Sequence, residues 1–498
     1  MQCELFESHL HRYWPCVQYT YCARWDPALE YPARFSYNAG ARISARRFPP
    51  RLMTRQYDPS SNYAPHVRAQ YEDYPFPLRD PRDDSRRLIV TELDCLAKLN
   101  HYCFGGRQRF TDGFRVLVAG GGTGDHTIFL AEQLRDYDAS VTYIDISRSS
   151  MEIAKERARI RHLDNIEWHH CSILDVASLD LAPFDLISCT GVLHHLPEPE
   201  RGLAALRGVL APDGAMSLMV YGRIGRMDVY AGQELLRLVN DGVEDRKVKT
   251  QHAMALVQCL PETNWLFRGG NRDRRLKEYV DDESNLNDVL LHEQDRAYSV
   301  PELYELLGGA QLELIEFTSF FTSPPIRRFM YDPEAWISDP ALADHIRAMP
   351  RPRQQAIAEA VCCVLTCHGF YAAPKAAGRI ASPDDPDMVP FFLYFDAAEL
   401  VQHFRDAAGR EVGLEYRANT VQFKVGKYSA DLLAGIDGLR SMGELFELVR
   451  RQSGDTVTDP ELQQTFLAFY QPLNNSDTLL LRHRSVPAFR EYRREADS

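Results

Sequence analysis

Residues 116–125 read V-L-V-A-G-G-G-T-G-D, an apolar strand that runs straight into a glycine-rich turn and then into a helix-forming segment. Gly120, Gly122 and Gly124 let the backbone turn sharply and let a ligand approach the main chain without meeting a Cβ. From 115 to 221, short apolar runs (RVLVA, VTYID, IEWHH, FDLIS, AMSLMVY) alternate with helical patterns over Gly124–Arg135, Ser149–Arg161 and Glu198–Leu210. Strands separated by helices predict a parallel sheet covered on both faces. Ligands in such sheets bind beyond the carboxyl ends of the strands.

The expected fold is therefore α/β: a Rossmann-like doubly wound sheet with a helical cover insertion, plus a small α+β carboxyl-terminal domain. Residues 1–60 mix aromatics, prolines and arginines without periodicity and read as an unstructured leader, with Met53 as a possible true start. The main domain spans 61–371. It opens with an amphipathic helix expected over Asp80–Leu99. The charged helical stretch 222–310, in which Ser299, Pro301 and Glu302 mark a helix start, covers the pocket. A strand is expected at 312–321 and helices over 332–371. The proline-rich stretch 372–390 reads as a linker and 391–498 as an accessory domain.

A hydrophobic fraction of 45% over 498 residues supports buried cores. Lys plus Arg (57) against Asp plus Glu (70) gives a net charge of −13, which makes nucleic acid an unlikely partner. The 11 cysteines form no paired C-x-x-C clusters, so a reducing, cytoplasmic setting is expected and no metal is assigned. Cys362, Cys363, Cys367 and His368 lie in the apolar run AVCCVLTCHGFY and read as buried helix packing. No window is apolar enough to cross a membrane, and no signal-peptide core opens the chain.

Two cofactor classes use a turn like GGGTG. A dinucleotide loop wants a small residue at 125, where Asp125 would repel pyrophosphate. The G-x-G-x-G spacing instead suits S-adenosylmethionine, whose amino-acid end is zwitterionic and whose sulfonium is positive. Asp145, at the tip of VTYID, is placed to accept both ribose hydroxyls; the plainer reading has it capping the helix from Ser149.

With FDLISCTGVLHHL (184–196) as a fourth-strand motif and APDGAMSLMVY (211–221) as a fifth, these residues resemble the class I S-adenosylmethionine-dependent methyltransferases. VRAQYEDYPFP (67–77) and LHEQDRAYSVPEL (291–303) are similar to segments of a bacterial subgroup often fused to tetratricopeptide repeats, which are not visible here. The resemblance implies that Ala119, Gly120, Gly121, Gly122 and Gly124 line the carboxypropyl arm of the cofactor, and that Asp145 and Ile146 hold its ribose. Ser172 and Ile173 would flank adenine, and Thr190 and Gly191 would lie beside the sulfonium. Two positions depart from the family pattern: Val118 stands where an acid usually helps hold the methionine amino group, and Ser172 where an acid usually meets adenine.

Methyl transfer is a displacement in which placing the nucleophile and excluding water matter most. If the acceptor must lose a proton, His194, His195 and His292 are the catalytic candidates, because histidine titrates near neutrality. Arg296 and Tyr298 accompany His292 as pocket residues. Asp288, His292 and Asp295 recur at helical spacing, a pattern that would serve a metal site but reads first as a solvated helix end. Tyr71–Pro77 could lie over the cofactor as an aromatic lid. The acceptor is an unidentified small molecule or protein; the base-methylating tetrapeptide is missing after the fourth strand. Residues 416–450 loosely resemble winged-helix modules, suggesting that the carboxyl-terminal domain engages a partner protein. The alternative is a catalytically inactive protein that keeps this fold for binding or regulation.

Overall fold

The computed structural model describes residues 65–492 apart from 182, 268–271, 319–329, 408–410, 417–418 and 455. The leader and Met53 lie outside the described residues. Residues 61–495 form one compact unit.

The centre is a seven-stranded sheet in the order β3-β2-β1-β4-β5-β7-β6. Its strands are β1 (Phe114–Ala119), β2 (Ala139–Asp145), β3 (Ile166–His170), β4 (Phe184–Thr190), β5 (Leu210–Tyr221), β6 (Glu313–Thr318) and β7 (Cys367–Ala373). Pairings among β1 to β5 are parallel, whereas β7 runs antiparallel between β5 and β6. The strand order reverses beside β1, so the crevice between the carboxyl ends of β1 and β4 is the topological switch point where a ligand fits. The strands read as continuous apolar runs because helices cover both faces. Leu117, Ile144, Ile187 and Leu218 pack in one core and Val116, Val118, Val141 and Leu186 in another.

Helices α1 (Pro65–Asp73) and α2 (Leu96–Cys103) precede the sheet. Connecting the strands are α3 (Asp125–Leu134), α4 (Arg148–Ile160) and α5 (Pro199–Val209), close to the predicted limits. The insertion after β5 carries α6 (Met227–Val239), α7 (Arg246–Cys259), α8 (Arg272–Val280) and α9 (Glu283–Val289), with their own apolar core around Val229, Leu236, Val257 and Leu286. Helix α10 (Val300–Gly309) starts at a Ser299/Glu302 capping box.

The structure corrects two local expectations. Asp80–Leu99 is not one helix: short 3-10 turns at Pro81–Ser85 and Glu92–Asp94 flank an irregular stretch, and α2 begins only at Leu96. Ile89, Val90 and Thr91 are consecutive β-branched residues, which lose side-chain freedom in a helix. The helices α11 (Pro340–Arg347) and α12 (Arg351–Cys362) do not continue to 371: Cys363 takes a left-handed conformation (φ 54°) and Cys367 and His368 open β7. A short buried strand and a buried helix share the same unbroken apolar pattern, and only the neighbouring strands decide between them.

Beyond β7, the amide of Ala381 donates to the His101 carbonyl, holding the proline-rich stretch against α2. There follow β8 (Met388–Phe392), α13 (Ala398–Asp406), the hairpin β9 (Glu411–Tyr416) and β10 (Asn419–Lys424), α14 (Ser429–Gly435), α15 (Met442–Ser453), α16 (Asp459–Asn475) and β11 (Leu479–His483), which pairs antiparallel with β8. Among the described residues no helix is long and apolar enough to cross a membrane.

Candidate active site

The glycine turn leaves β1 after the buried Ala119 and is fixed from below by the amides of Gly120 and Gly121, which both donate to the Ile144 carbonyl. Gly122 has φ +51°, and a Cβ there would stand 2.7 Å from the Phe76 carbonyl oxygen, so the chain passing over the turn requires glycine. Gly124 is the left-handed N-cap of α3.

Asp145 closes the floor. Its Oδ2 accepts from the Gly122 amide at 2.8 Å and its Oδ1 from the Ser147 amide at 2.7 Å. Each carboxylate oxygen keeps a further lone pair, so the group fits a pair of ribose hydroxyls while also anchoring the turn. Burial, only partly offset by these amides, raises its pKa above the usual carboxylate value. The neighbouring Ile146 carbonyl accepts from His170 Nε2 at 2.9 Å.

A strap formed by α1 and residues 74–77 crosses this floor. The Phe76 and Pro77 carbonyls accept from the Thr123 amide (3.3 Å) and hydroxyl (2.7 Å). The Tyr71 carbonyl accepts from Ser147 Oγ at 3.0 Å. Glu72 caps α4, accepting from the Arg148 and Ser149 amides at 2.9 and 3.0 Å.

Asp125, at the start of α3, does not carry a free charge. It is held by Arg79 (2.6 Å) and Arg157 (2.7 Å), with Arg157 also paired to Asp84. Although burial pushes its carboxyl up, the hydrogen bonds and charges of the two arginines hold it at about 2. Its charge is thus compensated by two arginines, which weakens the repulsion of a pyrophosphate expected from this residue.

At the other positions, Ser172 spends its hydroxyl on the Leu174 amide as a helix cap, and both it and Ile173 are buried. Val118 lies in the sheet core, where it can hold nothing polar. Thr190 ends β4 with its Oγ1 buried and unpaired in the protein, and Gly191 follows with φ 77°.

The three histidines part company. His194 is fully buried, stacked on the Tyr221 ring at 3.8 Å, and both its ring nitrogens are enclosed without partners, so it is not placed to meet an acceptor. Burial, reinforced by the charge of a protonated His195, drives its pKa well below the usual value and keeps it neutral. His195 and His292 instead stack face to face, with centroids 3.8 Å apart. Around them stand Tyr71 and two residues not singled out for the pocket, Asp288 and Tyr221. The hydroxyls of Tyr71 and Tyr221 donate to the two Asp288 oxygens at 2.9 and 3.0 Å, and Tyr71 also meets His292 Nε2 at 3.2 Å. Asp288 and His292 are only 2% and 8% exposed and the Asp295 side chain is 2% exposed, which overturns the solvated helix end; α9 stops at Val289 and the chain folds back inward. Arg296 points outward to Glu200, and Tyr298 is buried in the core, so neither joins the pocket.

His195, Asp288 and His292 bring ligand-type atoms within 4.8 Å of one another. Their hydrogen bonds nevertheless suit a metal-free cluster. The Gln294 amide donates to His292 Nδ1, so the neutral ring carries its proton on Nε2 and has no second lone pair to give. His195 Nδ1 sits 2.9 Å from the Gln294 carbonyl and must donate to it, which leaves its Nε2 as a free acceptor.

This arrangement can be compared with known proteins. The methyltransferase-domain family profile matches residues 117–216, the strands and turns just described. The tRNA 5-carboxymethoxyuridine methyltransferase of Escherichia coli is 31% identical over 205 residues, covering 39% of this chain and 76% of that enzyme. The chain belongs to the class I S-adenosylmethionine-dependent methyltransferases. S-adenosylmethionine is thus the cofactor of this methyltransferase, and the glycine turn with Asp145 fits it. An uncharacterised protein of Synechococcus is 34% identical over 268 residues; these cover 53% of this methyltransferase and 62% of that relative, under two thirds of its length. The structure of PKMT2 from Rickettsia typhi shares the fold, with TM-score 0.51 and 15% identity, over 76% of this chain and 73% of that one.

Proposed function

We propose that the protein transfers the methyl group of S-adenosylmethionine to a protic acceptor bound between the strap and the His195–His292 stack. When bound, S-adenosylmethionine supplies an activated methyl group on a sulfonium, so the protein need only hold, orient and deprotonate the acceptor. Gly120, Gly122 and Gly124 would carry the amino-acid arm and Asp145 the ribose. Thr190 and Gly191, at the carboxyl end of β4, would lie beside the sulfonium.

The observation that carries the reading is the tautomer of His195. Its Nδ1–H is fixed by the Gln294 carbonyl, so Nε2 is left as the ring's acceptor and can take a proton from the methyl acceptor. His292 stays neutral, its pKa driven well down by burial and then by His195, and serves to hold Tyr71. The acceptor is a small molecule or a protein side chain; the net charge of −13 opposes a nucleic acid. The test is transfer of labelled methyl from S-adenosylmethionine into a metabolite or protein extract. The wild type should label a product, and His195→Gln should do so about 100 to 10,000 times more slowly. An unchanged rate in His195→Gln would remove the base from the mechanism.

A further inference from the structure

The last helix of the cover brings a carboxylate into the histidine cluster with no lysine or arginine bonded to it among the described residues. Asp288 is buried, and both its oxygens accept from neutral tyrosine hydroxyls. The arginines nearby lie against other acids: Arg226 is 3.6 Å over the Tyr221 ring and 3.6 Å from Asp295, with its Nε and Nη2 buried and without a hydrogen-bond partner, and Arg246 is 3.8 Å from Asp73 and 3.9 Å from Glu293. Removing a carboxylate from water without a cation is costly unless something positive comes to it. The groups around it are rings: Tyr71 packs edge-on to His195 and tilted on His292, with centroids 6.3 and 5.8 Å apart. Aromatic faces beside a carboxylate attract an ammonium and resist a second anion.

We infer that the acceptor is an alkylamine, which enters as its ammonium form and is held by Asp288 and the Tyr71 ring. This rests on the methyltransferase reading above. The ammonium gives one proton to His195 Nε2; the freed nitrogen lone pair forms the N–C bond as the S–C bond of the donor breaks, with that electron pair remaining on sulfur. The products are a methylated ammonium and S-adenosylhomocysteine, and His195 returns its proton to solvent. One ammonium, one sulfonium and no further reactant balance the charge.

The test uses the full chain loaded with S-adenosylhomocysteine and titrated with n-butylamine, butyrate and 1-butanol, probes alike in size that differ in charge. Butylammonium should bind about tenfold or more tighter than butanol, and butyrate more weakly than either. Asp288→Asn, which keeps the size and one of the two acceptor oxygens while removing the charge, should abolish the preference while retaining S-adenosylhomocysteine affinity, which shows that the variant is folded. Labelled methyl should then pass to butylamine or to a lysine-containing peptide in a linkage stable to alkali; the relative rates of these two separate a free amine from a protein side chain. Equal binding of the three probes, tighter binding of butyrate, or a preference that survives Asp288→Asn would overturn the inference. So would a variant that weakens S-adenosylmethionine but not S-adenosylhomocysteine and leaves no butylammonium preference, because Asp288 would then serve the sulfonium. Failure of the wild type to bind S-adenosylhomocysteine would instead remove the methyltransferase reading beneath it.

Discussion

The Tyr71 hydroxyl donates to Asp288 Oδ1 at 2.9 Å across 217 positions of sequence, tying the strap over the glycine turn to α9, the last helix of the cover. One residue therefore joins the two halves of the site: its carbonyl accepts from Ser147 beside Asp145, and its side chain completes the histidine cluster. Burial, followed by the charge of Asp288, raises the Tyr71 pKa well above its usual value, so the phenol remains a donor.

Tyr71→Phe keeps the ring but leaves Asp288 with one donor fewer and His292 Nε2–H without its acceptor. Leaving buried partners unmade costs about 1–3 kcal/mol. If the acceptor pocket pays that cost and the cofactor floor does not, kcat falls roughly 10- to 100-fold while S-adenosylhomocysteine affinity changes less than about twofold. Initial-rate kinetics beside calorimetry separate the two effects.

Glu72 holds the strap on the amino end of α4. Its pKa is lowered because the Arg148 and Ser149 amides outweigh the effect of burial. Glu72→Gln removes the charge from that helix end, a loss of about 1 kcal/mol. Stopped-flow displacement should show S-adenosylhomocysteine leaving about fivefold faster, with little change in melting temperature.

Asp145 must be ionised to accept two hydroxyls, and burial raises its pKa. Affinity for S-adenosylhomocysteine should therefore fall on acidification, beginning at a higher pH than an ordinary aspartate would give. In Asp145→Asn the affinity should be low throughout and lack that pH dependence.

Asp125 contributes to stability rather than to binding. Its folded pKa of about 2 lies below the ordinary 3.8. The stabilisation is thus fully present above about pH 4, amounts to about 2 kcal/mol, and is lost as pH falls from there towards 2. Asp125→Asn leaves Arg157 under-compensated and should lower unfolding free energy at neutral pH by about 3 kcal/mol in denaturant titration.

The residues that local pattern could reveal were those whose role is local. The GGGTG turn, Asp145 at a strand tip and the β4 segment ending at Thr190 lie at fixed distances along one alternating strand and helix pattern, so the sheet and its crevice follow from spacing. β7 was hidden because it pairs with β5, strands separated by about 150 residues, and its apolar run reads equally as helix. Asp288 was misread because its spacing to His292 suggests one helical face, whereas the helix ends between them. Asp125 shows the limit of judging a charge by position: Arg79 and Arg157, distant in sequence, compensate it. His194 and His195 are neighbours of identical type, and only their surroundings, a closed stack for one and a carbonyl-fixed tautomer for the other, tell them apart.

The central claim is that the glycine turn and Asp145 form a working S-adenosylmethionine pocket despite Val118 and Ser172. Calorimetric titration of the full chain with S-adenosylhomocysteine, with NADH as control, tests it most directly. The account predicts binding of S-adenosylhomocysteine in the micromolar range, none of NADH, and loss of at least about tenfold in affinity in Asp145→Ala. No binding by the wild type, or equal binding by Asp145→Ala, would contradict it.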